Sequence, residues 1–315
     1  MVFIINGMSK LKTNKLKQTP KILVYGITGM TGTRIGELLR KRFKIIAPPH
    51  THLNLTNKLL IYNHIEETSP DYIIYSAGLT KVDQAQLNPK LAFKLNFQVV
   101  ADICKKAKQK NITVIYISTD AVFDGKKFKS PYKENDKPHP LSVYGKSKLE
   151  GEKAVLKSSR HNAVIRSIMT YCAHYPHKMD FTRLAYQSLK NNEKFDGIID
   201  QIINPTFVDD LVWAVSAIVE KKASGIYHVA AIDSISNYGF VEKIAKAFRF
   251  DNNLIGKVTF NNFFRDKPAP RTKFCWLDTT KFQKEINNNI LHTLDEGIAI
   301  FKKQIGKIET EPVSL

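Results

Sequence analysis

Tyr144 and Lys148, four residues apart in Leu141-Ser-Val-Tyr-Gly-Lys-Ser-Lys148, follow a Ser118-Thr119-Asp120 segment that reads as the end of a β-strand. Residues i and i+4 share one face of a helix. The Lys148 ammonium is therefore expected to lower the Tyr144 phenol from its reference pKa of about 10, making it a proton donor. A lone Tyr-x-x-x-Lys is also a common product of helix surface, so its meaning rests on the elements around it.

Those elements alternate. Short β-branched runs at Lys21 to Tyr25, Lys44 to Ala47, Asp71 to Tyr75 and Thr113 to Ser118 are interleaved with helical patterns at Gly32 to Arg42 and Pro89 to Lys110. This is the signature of βαβ units and a parallel sheet covered by helices on both faces. The helix bearing Tyr144, a strand at Ala163 to Ser167 and a helix near Phe181 to Asn191 come next. A strand within Gly197 to Ile203, a helix at Val208 to Glu220 and a strand at Gly225 to Val229 follow.

The expected fold is α/β: a doubly wound dinucleotide-binding domain with a smaller C-terminal lobe. Its domain is expected over 21–167, with returning segments about 196–230, and its substrate-binding lobe over 168–195 and 231–306. Residues 1–20 read as a flexible basic tail, with Met8 as an alternative start, and 307–315 as a C-terminal tail.

Composition narrows the function classes. The formal charge is +19, from 48 Lys and Arg against 29 Asp and Glu. That suits acidic partners, nucleotides included. The basic residues are spread along helices, with no basic segment interleaved with aromatics, so nucleic acid is not expected as a partner. Cys104, Cys172 and Cys275 lie far apart with no Cys-x-x-Cys pair. They read as reduced, packed thiols, and no metal site is indicated. No apolar run approaches the roughly 20 residues needed to cross a bilayer, so no membrane partner and a cytoplasmic location are expected.

The first strand runs directly into Gly26-Ile-Thr28-Gly29-Met30-Thr31-Gly32, after which a helix begins. Glycines here permit a tight turn and close approach of a pyrophosphate, and the helix N-terminus offers free N–H groups. Taken alone, the segment is equally a tight connection. The second strand ends in Ala47-Pro-Pro-His50-Thr-His52, without the acidic residue that would hold a ribose 2′-hydroxyl. His50 or neighbouring basic residues could face a 2′-phosphate, which favours NADPH over NADH; a surface histidine without a ligand is the other reading. The third strand leads into Ser76-Ala77-Gly78-Leu-Thr80, small residues that let a cofactor lie near the backbone.

Taken together, Gly26-x-Thr28-Gly29-x-x-Gly32, Ala77-Gly78-x-Thr80-x-Val82-Asp83, Ser118-Thr119-Asp120-x-Val122-Phe123-Asp124-Gly125 and Tyr144-Gly-Lys-Ser-Lys148-x-x-Gly151-Glu152 resemble the extended short-chain dehydrogenase/reductase superfamily. Within it the chain is similar to the dTDP-4-dehydrorhamnose reductase family, over about Lys21 to Gly306. Arg166, Asn204-Pro205-Thr206, Asp210-Leu211 and Pro270-Arg271 add to the match.

The resemblance implies an NAD(P)H-dependent oxidoreductase that reduces the 4-keto group of a nucleotide-linked 6-deoxysugar. Tyr144 would protonate the developing alkoxide, Thr119 would hydrogen-bond the same oxygen, and Lys148 would hold the nicotinamide ribose. Gly26, Thr28, Gly29, Met30, Thr31, Gly32, His50, Asn54, Leu55, Ala77, Gly78 and Thr80 would join Tyr144 and Lys148 around the cofactor. Val82, Asp120, Met169 and Arg271 would meet the nucleotide-sugar substrate, with Arg271 at a diphosphate. A homodimer is compatible with the resemblance.

Three departures stand out. Ala121 and Met169 replace aromatic residues of close relatives, and an Arg-Pro-x-Asn-Ser pattern becomes Arg271-Thr-Lys-Phe-Cys275, followed by Trp276. They motivate a second reading, a non-catalytic nucleotide-binding subunit resembling the regulatory β subunit of methionine adenosyltransferase. An epimerase or dehydratase of the same superfamily is a third.

Overall fold

The computed structural model describes residues 19–48 and 53–310. His50, nearly all of the expected N-terminal tail and residues 311–315 lie outside this range.

Six parallel strands carry the fold. They are β1 (Lys21–Tyr25), β2 (Lys44–Ile46), β3 (Tyr72–Tyr75), β4 (Thr113–Thr119), β5 (Ala163–Ser167) and β8 (Gly225–His228), in the order β2-β1-β3-β4-β5-β8. Alternation along each strand divides the core. Ile22 and Val24 of β1 face one side, where they meet Ile35 and Leu39 of α1 (Met30–Leu39) and the apolar stripe of α8 (Val208–Lys221). Phe282 of the short α11 (Thr280–Glu285) joins that side of the core. Leu23 and Tyr25 face the other, against Ile61 and Ile65 of α2 (Lys58–Thr68) and Val99, Val100 and Ile103 of α5 (Val99–Gln109). A period of two in the strands and about 3.6 in the helices gives each element one buried face.

The chain leaves β1 toward β2 and returns to β3 on β1's other side. The sheet order therefore reverses between β1 and β3, where a crevice opens at the carboxyl ends of the strands.

The helix expected over Pro89 to Lys110 is not uniform. After the short α3 (Val82–Leu87) it consists of α4 (Pro89–Phe93), a π-helical turn over Lys94–Gln98, and α5. The widened turn releases two carbonyls to the sheet: Tyr75 Oη donates to Leu95 O (2.8 Å) and Tyr116 Oη to Asn96 O (2.8 Å). Periodicity cannot show this, because the acceptors are claimed by tyrosines of other strands.

The lobe holds a second core around Tyr171, Tyr186, Phe240 and Phe301. It contains α7 (Phe181–Lys190), α9 (Asn237–Phe248), α10 (Phe260–Phe263), α12 (Leu294–Thr310) and two small sheets. The run expected as one strand within Gly197 to Ile203 is two, β6 (Phe195–Ile198) and β7 (Ile202–Ile203). β6 pairs with β10 (Ile255–Val258), and β7 with β9 (Ile235–Ser236) and β11 (Phe274–Cys275). The return to the large sheet thus begins with α8 rather than near residue 196, because β6 and β7 find their partners in later segments. Residues 307–310, expected as tail, are the last turn of α12. No described helix is long and apolar enough to cross a membrane.

Candidate active site

A cavity of about 760 Å³ opens at the reversal point and runs between the large sheet and the lobe. Its floor is the turn Gly26–Thr31. Gly26 takes φ +95°, and a side chain there would strike the backbone at Ala77 (2.5 Å), so the β1 and β3 turns can sit this close only with glycine at that position. α1 starts at Met30 with Gly29 as its N-cap and no side-chain cap. The first-turn N–H groups lack intrahelical acceptors and stand beside the void. This cradle fits a dinucleotide pyrophosphate in shape and in polarity.

Of the residues expected at a cofactor, Gly26, Thr28, Gly29, Met30, Thr31, Leu55, Ala77, Gly78, Thr80, Tyr144 and Lys148 line the cavity. Two do not. Gly32 is buried beneath the turn, where a Cβ would lie 2.0 Å from Gly26 O, so it serves the turn's packing. Asn54 is exposed and folds its carboxamide back to accept from Thr56 N and Oγ1, making a local turn.

Tyr144 and Lys148 lie on α6 (Val143–Ser158), whose N-cap Ser142 accepts from Gly145 N (3.2 Å). Gly145 lets this first turn press against the 3₁₀ turn Asp120–Val122, where a Cβ would come within 2.1 Å of Ala121 O. Thr119, Asp120, Tyr144 and Lys148 thereby share one wall. Thr119 Oγ1 donates to Asp120 Oδ1 (3.0 Å) and accepts from Ala121 N (3.2 Å). Burial pushes the Asp120 carboxyl up to about 6, against hydrogen bonds from Thr119 and Cys275.

The expected lowering of the Tyr144 phenol is not found. Burial pushes it up to about 12, with a Thr119 hydrogen bond acting in the opposite sense. Lys148 explains why. Its ammonium donates to Ile117 O (2.6 Å) and stands over the Tyr116 ring at 3.9 Å. Burial brings it down to about 7, while Glu152 acts to raise it. A helix face shared at i and i+4 does not fix where a flexible lysine stem ends, and desolvation is the largest effect on both groups.

Behind this wall is a buried ionic network whose members Ser118, Glu152 and Arg166 stand in the matched motifs without a role the sequence assigns. Glu152 accepts from Arg166 Nε (2.9 Å) and Nη2 (2.6 Å) and from Ser118 Oγ (2.5 Å). It joins α6 to β4 and β5. His228 Nδ1 faces Tyr132 O (3.1 Å) and so carries the proton there, leaving Nε2 toward Arg166 Nη1 (3.4 Å). Burial and the Arg166 charge drive this imidazole down to about 3, keeping it neutral. Asn96 is a second omission: it accepts from Leu79 N (3.0 Å) and donates to Ser147 Oγ (2.9 Å), tying the β3 turn to α6. No local feature of the sequence marks it.

Of the residues expected at a substrate, Val82, Met169 and Arg271 reach the void, and Asp120 reaches it from the Thr119 wall. Met169 has a left-handed backbone, φ +39°. Arg271 Nη2 pairs with Asp83 Oδ2 (2.8 Å), its Nη1 donates to Ala269 O (2.8 Å), and its guanidinium covers the Phe264 ring at 5.4 Å. Ala121, Thr272 and Cys275 line the cavity, whereas Trp276 does not and donates to Lys127 O instead. Tyr175, Lys178, Gln201, Phe263 and Phe264 complete the lobe side. No motif in the sequence marked these five. Among the described residues, no group of three or more His, Cys, Asp or Glu could hold a metal ion.

The family described as "RmlD substrate binding domain" matches residues 20–301. The chain belongs to this family. It is 31% identical over 277 residues to dTDP-4-dehydrorhamnose reductase of Aggregatibacter actinomycetemcomitans, covering 84% of this chain and 92% of that protein. Methionine adenosyltransferase 2 subunit beta of Xenopus laevis is 27% identical over 84% of this chain and 82% of its own. Among solved structures, dTDP-4-dehydrorhamnose reductase from Bacillus anthracis in complex with NADP superposes with a TM-score of 0.83 at 26% identity, covering 91% of this chain and 100% of that one. The family's extended short-chain dehydrogenase/reductase fold agrees with the doubly wound sheet described above.

Proposed function

We propose that this protein is an NADPH-dependent reductase of a nucleotide-linked 4-keto-6-deoxysugar, of the dTDP-4-dehydrorhamnose type. The observation that carries the reading is the convergence of Thr119, Tyr144 and Lys148 on one wall of a cavity whose floor is the Gly26–Thr31 turn. A reduced nicotinamide dinucleotide, its pyrophosphate on that turn, would supply hydride to the sugar's carbonyl carbon. Tyr144, kept protonated by burial, gives its proton to the developing alkoxide. Thr119 turns its hydroxyl from Asp120 to the same oxygen. Lys148 leaves Ile117 O for a ribose hydroxyl, and its charge then eases proton loss from Tyr144.

Gly26, Thr28, Gly29, Met30, Thr31, Leu55, Ala77, Gly78 and Thr80 form the cofactor side of the site. Val82, Asp120, Met169 and Arg271 form the substrate side, where the planar guanidinium suits a diphosphate. The absence of an acidic residue after β2 favours NADPH over NADH. The test is oxidation of NADPH by purified protein with a panel of dTDP- and UDP-4-keto-6-deoxyhexoses; no turnover across that panel contradicts the proposal.

The likeness to methionine adenosyltransferase 2 subunit beta supports a second reading, a nucleotide-binding regulatory subunit. It predicts NADPH binding without turnover, together with stoichiometric recovery of one enzyme partner in a pull-down.

A further inference from the structure

Among the described residues three cations line the cavity, and their partners differ. Lys148 donates to Ile117 O, and Arg271 is paired with Asp83. Lys178 forms no ion pair or side-chain hydrogen bond among the described residues, although it lines the same void. Lys178 is solvent-exposed at the mouth of the void; partial desolvation by the cavity walls and the Lys81 charge draw its ammonium below the ordinary lysine value, against the Asp180 carboxylate. The Asp180 carboxylate, the anion nearest Lys178, is itself taken by the Arg183 guanidinium.

Lys178 does not reach the void from a loose loop. The strap 172–180, which connects the region after β5 to α7, is fixed at its middle and at its C-terminal end. Asp180 caps α7 by accepting from Arg183 N (3.0 Å). The buried Arg183 guanidinium binds Asp180 Oδ2 (2.6 Å), Tyr175 O (2.6 Å) and Lys178 O. Tyr175 Oη then donates to Thr28 O (2.6 Å), which seats the strap on the glycine turn itself. One guanidinium thus sets the backbone at residues 175 and 178, and one phenol sets that backbone against the cavity floor.

We propose that Lys178 is a diphosphate-binding residue, held at the cavity by the strap that Tyr175 and Arg183 anchor. This rests on the reading of the cavity as a site for a dinucleotide and a nucleotide sugar, both of which carry a diphosphate. An ammonium is a mobile point charge suited to following phosphate oxygens.

The test compares wild type, Lys178→Gln and Lys178→Arg for binding of NADPH, NADH, dTDP and dTMP by calorimetry, with Tm as a check on folding. Lys178→Gln should weaken NADPH or dTDP about tenfold, the size expected for one charge-assisted hydrogen bond, while Lys178→Arg stays within about threefold. A loss for NADPH and equally for NADH, which lacks the 2′-phosphate, assigns the cofactor's diphosphate, whereas a loss for NADPH alone assigns the 2′-phosphate and overturns the proposal; a loss for dTDP but not dTMP assigns the diphosphate of the substrate. Unchanged binding of both in a folded Gln variant, or equal loss in the Arg and Gln variants, overturns the proposal. Failure of the wild type to bind either nucleotide would remove the reading of the cavity and this inference with it.

Discussion

The two walls of the cavity are built in different ways. The sheet-side wall is made from strand ends and the helices that follow them: Gly26 to Thr31 after β1, Ala77 to Thr80 after β3, Thr119 and Asp120 at the end of β4, then Tyr144 and Lys148 on α6. Each group is a short motif, and the parallel sheet brings them together by topology alone. The lobe-side wall joins Met169, Lys178, Gln201, Phe264 and Arg271, which no common element connects. On the proposed function, the sheet wall carries what hydride transfer to a carbonyl needs, and the lobe wall what distinguishes one sugar nucleotide from another.

If that division holds, substitutions on the two walls should separate chemistry from recognition. The largest effect is expected from Tyr144→Phe, which removes the proton donor. Turnover should fall on the order of 10²- to 10⁴-fold, with NADPH affinity, read by fluorescence titration, unchanged. Next is Glu152→Gln behind the same wall. It leaves the Arg166 charge buried without its counter-ion, which costs about 3–5 kcal/mol and should appear as a large drop in Tm. Arg271→Ala, on the lobe wall, should raise KM for the nucleotide sugar about tenfold or more and leave KM for NADPH alone. A matching rise in both would dissolve the distinction between the walls.

The smallest effect concerns Asp120, where the walls meet. Its folded-state pKa of about 6 lies above the ordinary aspartate value, so the folded protein binds this proton more tightly than the unfolded chain does. The stability of the ligand-free protein should therefore fall on this account as pH rises from about 4 to about 6. The measurement is the difference in Tm between wild type and Asp120→Asn across that window, since other carboxylates titrate equally in both. A constant difference would contradict the assignment.

The contrast between the walls also explains what the sequence made legible. The β-branched runs and the glycine turn are local features, so residue types and spacing suffice to locate the cofactor cradle. Tyr144 and Lys148 are legible as a pair, but the state of that pair is not. The Lys148 stem runs to Ile117 O, and the Tyr144 phenol rises through burial rather than falling beside an ammonium. Asn96 and Arg183 carry no local signal, because what they hold together lies on separate elements or at backbone carbonyls that no side-chain pattern marks. Gly32 and Asn54 mislead for the opposite reason. A motif position names a residue type without saying whether it lines the cavity or shapes the turn beneath it.

The central claim is that the sheet-side wall performs a ketone reduction with Tyr144 as proton donor. It is tested most directly by following NADPH absorbance with dTDP-4-dehydrorhamnose and related dTDP-4-keto-6-deoxyhexoses, for wild type and Tyr144→Phe side by side. Steady NADPH oxidation by the wild type, reduced at least about a hundredfold in the folded Phe variant that still binds NADPH, is the predicted result. Turnover that survives in Tyr144→Phe, or a wild-type protein that binds NADPH yet reduces none of these sugars, would contradict it.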